Sequence, residues 1–195
     1  MWKTHLRPAL VLLTAFTLLT GVAYPLVMTG VVSGLLPETA SGSLVERDGR
    51  IVGSRLIAQG FQGPGYFRPR PSHAGKGYDG ASSGASNLGA TSRQRYEALT
   101  ARLAFWRSEV PGQPVPLELL TGSGSGLDPH LSPAAARYQV PRVARARGLA
   151  PAQVEALVDA HVRGRLLGFW GEPTVNVLEL NLALDTPQAA TGRRG

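Results

Sequence analysis

Residues Pro8 to Pro37 read PALVLLTAFTLLTGVAYPLVMTGVVSGLLP, thirty positions without one charged side chain. A helix crossing the roughly 30 Å hydrocarbon layer needs about 20 apolar residues at 1.5 Å each. Ala9–Val32 supplies that length with some tilt. A core helix of a soluble domain keeps a polar face, and this stretch has none. Pro25 lies inside it, lacks an N–H, and is expected to kink the helix or mark a packed position.

Two membrane readings compete. A cleaved signal peptide would use Lys3 and Arg7 as its basic region, Ala9–Leu19 as its apolar core and Gly21-Val22-Ala23 as its small-residue site. Signal cores run to about 7–15 residues, whereas this run continues a dozen residues past the would-be cut. A retained anchor is therefore expected. Lys3 and Arg7 before the span place the N-terminus in the cytoplasm by the positive-inside rule, and the chain beyond the span on the far side. The expected layout is a cytoplasmic N-terminus at 1–7, an anchor at 8–36, an extracytoplasmic α+β domain at 37–187 and a tail at 188–195. Thr14, Thr17, Gly21 and Tyr24 recur at three and four places, and Thr17-x-x-x-Gly21 is a small-residue pair that lets a second helix approach closely in lipid.

The rest of the 195 residues fits one domain of ordinary size. Gly and Pro together number 39 of 195, well above the usual share of roughly 12%, so long loops and few long elements are expected. With no cysteine, disulfides, thiolate metal sites and a cysteine nucleophile are excluded. The net charge of +7 falls to +5 once Lys3 and Arg7 are set aside, leaving 18 Lys+Arg against 13 Asp+Glu. The arginines are scattered, with one cluster at Arg142, Arg145 and Arg147 that reads as solvated surface. No basic run carries interleaved aromatics, so nucleic acid is not an expected partner.

Gly42–Phe61 holds two short β-prone runs around Asp48-Gly49, a hairpin signal. Gln62–Thr91, with seven glycines and three prolines, is too long for an ordinary connection. Its Tyr66, Phe67 and Tyr78 mark it as a binding loop rather than a spacer. Arg70 within it offers a planar fork for a carboxylate or for backbone carbonyls; changes at Gly75 or Lys76 are expected to be mild. Thr91-x-x-Gln94 forms a capping box before a helix that turns Tyr96, Leu99, Leu103, Trp106 and Val110 inward. Val115–Thr121 reads as a short strand. Ser132 and Pro133 open a helix that Pro141 interrupts and Gly148 ends. Pro151–Arg165 reads as another helix, with His161 on its apolar face. Thr174–Leu184 alternates Leu178, Leu180, Leu182 and Leu184 with other residues, the period of a half-buried strand.

Chemistry is sparse. Gly75-Lys76 is followed by Gly77, which breaks the phosphate-loop pattern. Gly122-Ser123-Gly124-Ser125-Gly126 lacks the spacing of a nucleophile elbow. Ser123 or Ser125 with His130 and Asp128 would be the residue types of an exported serine hydrolase, but triad members usually come from separate elements. Asp128 and His130 would give only two ligands of an open metal site, and Asp-Pro-His is more often a turn. No catalytic residue and no metal ligand set is assigned.

Six blocks, taken in order, say more. They are Gly53-Ser54-x-Leu56-Ile57-x-Gln59-x-Phe61, Tyr66-Phe67-x-x-Arg70-Pro71-Ser72, Ser83-Gly84-x-Ser86-Asn87-Leu88-Gly89, Ser123-x-Ser125-Gly126-Leu127-Asp128-Pro129-His130-x-Ser132-Pro133, Arg142-Val143-Ala144-x-Ala146-Arg147-Gly148, and Gly171-Glu172-Pro173-x-Val175-Asn176-Val177-Leu178-x-Leu180-Asn181. In these blocks, behind an N-terminal anchor, the chain resembles the KdpC family, the C subunit of the Kdp potassium-transporting P-type ATPase. The resemblance implies a non-catalytic, single-pass subunit of the cell (inner) membrane, surrounded by lipid and by the KdpA, KdpB and KdpF subunits. It also implies a role in raising the ATP affinity of KdpB, linked to Ser123, Ser125, Asp128, His130, Ser132 and Gln139; ATP is otherwise not expected as a ligand. Arg70, Asn87, Thr17 and Gly21 are the expected subunit contacts.

Overall fold

The structure, a computed structural model, describes residues 2–186, so the expected tail at 188–195 lies outside the described residues. The chain forms two compact units, residues 1–51 and from Val52 onward. In the first, an apolar helical stretch of 32 residues, Thr4–Leu35, has a mean hydropathy of 2.0 in its most apolar window and buries none of that window. It runs through α1 (Trp2–Leu18), a π-helical turn (Leu19–Ala23) and α2 (Tyr24–Leu35). The π turn ends two residues before Pro25: the Tyr24 N–H reaches back five residues to Leu19 O. A π turn is how a helix absorbs a lost backbone bond without ending. It also falls across the Thr17–Gly21 pair, so four-residue spacing there no longer stacks side chains as in a regular α-helix. A Cβ built at Gly21 meets nothing within 4 Å.

After the short α3 (Pro37–Ala40), β1 (Leu44–Arg47) and β2 (Arg50–Ser54) form the expected hairpin. Asp48 and Gly49 take φ of +52° and +73°, the paired positive values that a tight two-residue turn demands.

The second unit is α+β. Helices α4 (Arg93–Glu109), α5 (Pro133–Arg147), α6 (Pro151–Ala160) and α7 (Val177–Leu184) accompany an antiparallel sheet of order β3-β5-β4, from His130–Leu131, Thr174–Asn176 and Val162–Arg163. Val175 in the middle strand pairs with Leu131 on one side and Val162 on the other. Phe67, Trp106, Leu119, Leu131, Val143, Val154, Val158, Val175 and Leu180 make the core. Trp106 packs edge-on to Tyr138 and donates from its indole to Leu119 O.

Several expectations need correction. The α4 N-cap is Ser92, whose hydroxyl accepts from Arg95 N, and Tyr96 is 71% exposed; the first turn lies beyond the edge of the core. Val115–Thr121 is not a strand: Leu117–Leu119 form a 3-10 turn. Ser132 and Gly148 cap α5 as expected, but Pro141 does not interrupt it: the helix continues through the proline, with Val140, Arg142, Val143 and Ala144 buried on either side, so tertiary packing offsets the local cost of the proline. Helix α6 stops at Ala160, and Val162–Arg163 join the sheet instead. The largest change concerns Thr174–Leu184. Only Thr174–Asn176 are extended; the Asn176 side chain then accepts from Glu179 N and starts α7. The buried residues 177, 178, 180, 181 and 184 follow helical spacing, which the alternating leucines concealed.

The loop before α4 is drawn into the core by an unusual device. From Pro64 to Arg68, five consecutive carbonyls are each taken by a side chain. Arg142 donates to Pro64 O and Tyr66 O, both at 2.7 Å. Arg147 donates to Gly65 O at 2.6 Å, Asn181 to Phe67 O at 2.9 Å, and Gln139 to Arg68 O at 2.9 Å. The two amides also accept, Asn181 from Phe67 N and Gln139 from Arg68 N. Each clamps one residue as a neighbouring strand would. Gln139 is 0%, Asn181 1% and Arg142 3% exposed, so the expected solvated cluster at 142–147 is corrected: Arg142 is buried and Arg147 half-buried. Burial, and secondarily the charge of Arg68, lowers the Arg142 pKa to about 10, still protonated at neutral pH.

Replacing Gln139 by leucine keeps the volume but strands the Arg68 amide and carbonyl. At about 1–3 kcal/mol for each unsatisfied buried group, the domain should lose about 2–4 kcal/mol, on the order of 10 °C in melting temperature. Arg137→Ala, breaking an exposed pair with Asp159, should shift it by no more than a degree or two. Thermal unfolding by circular dichroism checks both.

Candidate functional site

The clamped segment leads directly to Arg70, and Arg70 holds the serine-rich loop. Its guanidinium donates to Gly122 O at 3.0 Å and to Thr121 O at 3.4 Å, and lies 3.5 Å from Asp128 Oδ2. The planar fork thus meets both partner types expected of it, two carbonyls and a carboxylate. Tyr78 adds a bond from its hydroxyl to Arg70 O.

Ser123–His130 is a tightly turned loop. The hydroxyls of Ser123 and Ser125 meet at 3.3 Å, and Ser125 Oγ accepts from Leu127 N. Ser125 O is bound by Gly84 N and by the Ser83 hydroxyl, which joins two of the sequence blocks. Gly126 has φ +70°, and a Cβ there would lie 2.4 Å from Gly84 O, so only glycine fits. Asp128 Oδ1 accepts from His130 N at 3.0 Å, the turn that Asp-Pro-His implies, with His130 Nδ1 3.6 Å away. The His130 side chain, then its backbone N–H and the Arg70 charge, hold the Asp128 carboxyl below its ordinary value, against the opposing effect of burial. Ser132 accepts from Ala135 N as helix cap while its own hydroxyl and N–H go to Glu118.

The expected site residues are therefore brought together only in part. Arg70, Ser123, Ser125, Asp128 and His130 share one surface. Asn87 is exposed on the neighbouring loop with φ +52°. Gln139 is sealed inside by Arg68 and Arg142, and Ser132 serves the helix. Thr17 and Gly21 belong to the apolar helix. Neither Ser123 nor Ser125 bonds a histidine, so the hydrolase arrangement is not formed. Arg70 stands beside Asp128 where a metal would have to sit, and no group of three or more metal-ligating side chains occurs among the described residues. His161 is satisfied locally, its Nδ1 2.8 Å from Leu157 O.

The cavity beside Thr121 and Gly122 has about 170 Å³, below the ~300–1,000 Å³ typical of ligand pockets. A larger one of about 520 Å³, between α6 and α7, is lined by Leu149, Val154, Leu157, Leu184 and other uncharged residues.

The buried polar frame escaped the sequence reading. Asn181 looked like the outward position of a strand, and Arg142 like surface. A helical reading of 177–184, with Asn181 four residues after Val177, would have put that asparagine on the buried face.

A helix long and apolar enough to cross a membrane, followed by an α+β domain whose buried polar side chains brace its own loops, is the class of protein that the fold defines. Comparison with known proteins makes this specific. The family model described as KdpC, K+-transporting ATPase, c chain, matches residues 6–186, and the chain belongs to that family. The Potassium-transporting ATPase KdpC subunit of Rhodospirillum rubrum is 57% identical over 182 residues, covering 92% of this chain and 94% of the relative. Those of Cereibacter sphaeroides and Sorangium cellulosum are 53% and 55% identical, covering 95% and 93% of this chain and 99% and 97% of theirs.

Arg70→Ala, which removes a charged donor from two carbonyls, should cost about 1–2 kcal/mol and lower the melting temperature by several degrees, while Lys76→Ala should be neutral. Gly75 is not the mild position expected: at φ +53° its Cβ would fall 2.7 Å from the Asp79 side chain, so Gly75→Ala should destabilise as well.

The lowered Asp128 pKa has a definite sign. Its contribution to stability is complete above the unfolded carboxylate value, about pH 4, and disappears as pH falls through the lower folded value. Asp128→Asn should therefore unfold with a shallower loss of melting temperature as pH falls below about 4 than the parent chain.

Proposed function

We propose that this chain is the accessory, non-catalytic subunit of a potassium-importing ATPase. In this reading it is held by one span with the N-terminus in the cytoplasm, and its domain supports assembly with KdpA, KdpB and KdpF from the outer face. The observation that carries the reading is the frame just described: the serine-rich block is fixed from behind by Arg70, Gly84 and the clamped loop, which presents a shaped surface. Lys3 and Arg7 ahead of the span favour this orientation. ATP hydrolysis is then the work of KdpB. The effect on ATP affinity that the resemblance implies acts through subunit contact, because Ser132 and Gln139 are occupied and the charge rule sets the domain across the membrane from cytoplasmic ATP.

The test uses the tagged full chain in potassium-starved cells. Mild detergent extraction should recover it with the other pump subunits in fixed ratio. Recovery of this chain alone would contradict the assignment.

A further inference from the structure

The clamp that fixes the Arg68 backbone leaves its side chain over the Phe105 ring, with the guanidinium carbon 4.7 Å from the ring centroid. Its Nη2 donates to Gln62 O at 3.2 Å, and its Nε is buried without a hydrogen-bond partner. On α4, Arg102 donates through Nη1 to Leu120 O at 2.9 Å. Both side chains border one hollow of about 210 Å³, walled by Phe61, Pro69, Pro71 and Phe105. Neither forms an ion pair among the described residues, whereas Arg70, Arg137, Arg147, Arg163 and Arg165 each have a carboxylate oxygen within 3.5 Å.

Positive charge therefore gathers here without a counter-charge. Burial, then the charge of Arg68, lowers the Arg142 pKa behind the hollow, with the Glu109 charge opposing. Burial lowers Arg102 as well, and at Tyr78 burial raises the pKa against the charges of Arg102 and Arg68. Tyr78 completes the wall and is held there under strain. Its φ is +56°, a region that a bulky side chain rarely adopts and that clusters at ligand clamps. Ser72 Oγ takes its N–H at 2.8 Å, and its hydroxyl donates to Arg70 O at 2.8 Å. The hollow is thus built before anything enters it, which spares a ligand the cost of ordering it.

We propose that Arg68 and Arg102 form a carboxylate site that receives one glutamate or aspartate side chain from another subunit of the transporter. The inference rests on the assembly reading above. Two guanidinium groups select an oxyanion, and their planar forks match a carboxylate. The walls select what carries it. Phosphate sites gather backbone N–H groups, whereas two of these walls are prolines, which have none, and the others are aromatic rings. They suit the methylenes of an acidic side chain. At about 210 Å³ the hollow lies below the ~300–1,000 Å³ of small-molecule pockets and holds one side chain. A free carboxylate would gain little from two half-exposed cations in salt. One carried on an assembled subunit is presented at high effective concentration.

The experiment uses the full chain produced together with the other subunits. Arg102→Lys places an amine in the hollow, and the extracted complex is treated with a water-soluble carbodiimide. The reagent activates a carboxylate, the amine attacks its carbonyl carbon, an amide forms and the reagent leaves as a urea. Peptide mapping should find that amide joined to a glutamate or aspartate of another subunit. An amide to a carboxylate of this chain, or none, would overturn the proposal. A second measurement needs no variant. In the parent protein Arg102 should react with phenylglyoxal when the chain is isolated in detergent and lose most of that reactivity in the complex. Equal reactivity in both would sink the site alone. Inorganic phosphate or acetate should leave the isolated chain's reactivity unchanged, and protection by either would mean a free-anion site and overturn the proposal. Failure of the parent chain to recover any subunit would instead sink the assembly reading itself.

Discussion

Five successive peptide carbonyls, Pro64 to Arg68, run from the surface to the edge of the core, where Phe67 is buried, without a neighbouring strand, and side chains from two helices are arranged to accept that. A buried backbone group left unpaired costs about 1–3 kcal/mol, so an irregular segment that carries Phe67 into the core would not stay there unaided. Arg142, Arg147, Gln139 and Asn181 supply the missing ladder from α5 and α7. Because the two amides both donate and accept, each satisfies both backbone groups of one residue, which an arginine cannot do. Phe67 is thereby buried completely and becomes part of the core that α4, α5 and α7 share.

That arrangement sets the loops on either side. With residues 64–68 fixed, Arg70 is delivered against Thr121, Gly122 and Asp128, and Ser83–Gly84 against Ser125. The serine-rich block, whose composition invites a search for catalysis, is consumed in holding two loops together. Its residue types recur because turns and close approaches demand them: Gly126 because a carbonyl lies behind it, Asp128 because its carboxylate closes the Pro129 turn. The loops so held carry three of the six sequence blocks of the KdpC family, to which the chain belongs.

How much of this was legible depended on sequence distance. Asp48-Gly49, Ser132-Pro133 and Gly148 act on neighbours within four residues, and their structure could be read directly. The apolar span was equally plain, although the π turn that accommodates Pro25 was not. Arg70 announced its chemistry but not its partners, which are about fifty residues away. Arg142 was misread because nothing near it reveals carbonyls 76 and 78 residues upstream. The region 177–184 was misread for another reason: four leucines at alternate positions satisfy a strand, and only the burial of Asn181 distinguishes the helix. The resemblance carried what local physics could not, because its six blocks coincide with the loops and helix ends that contact one another.

The clamp at Phe67 and Arg68 supports the whole frame, and amide hydrogen exchange of the folded chain reads it directly. Loop amides ordinarily exchange through small local openings, whereas core amides wait for global unfolding. The Phe67 and Arg68 amides should exchange as slowly as those in the middle of α5, and far more slowly than the exposed Asn87 amide in the neighbouring loop. Exchange of Phe67 and Arg68 at the rate of Asn87 would mean that the buried amides do not hold the segment, and the frame built on them would fail.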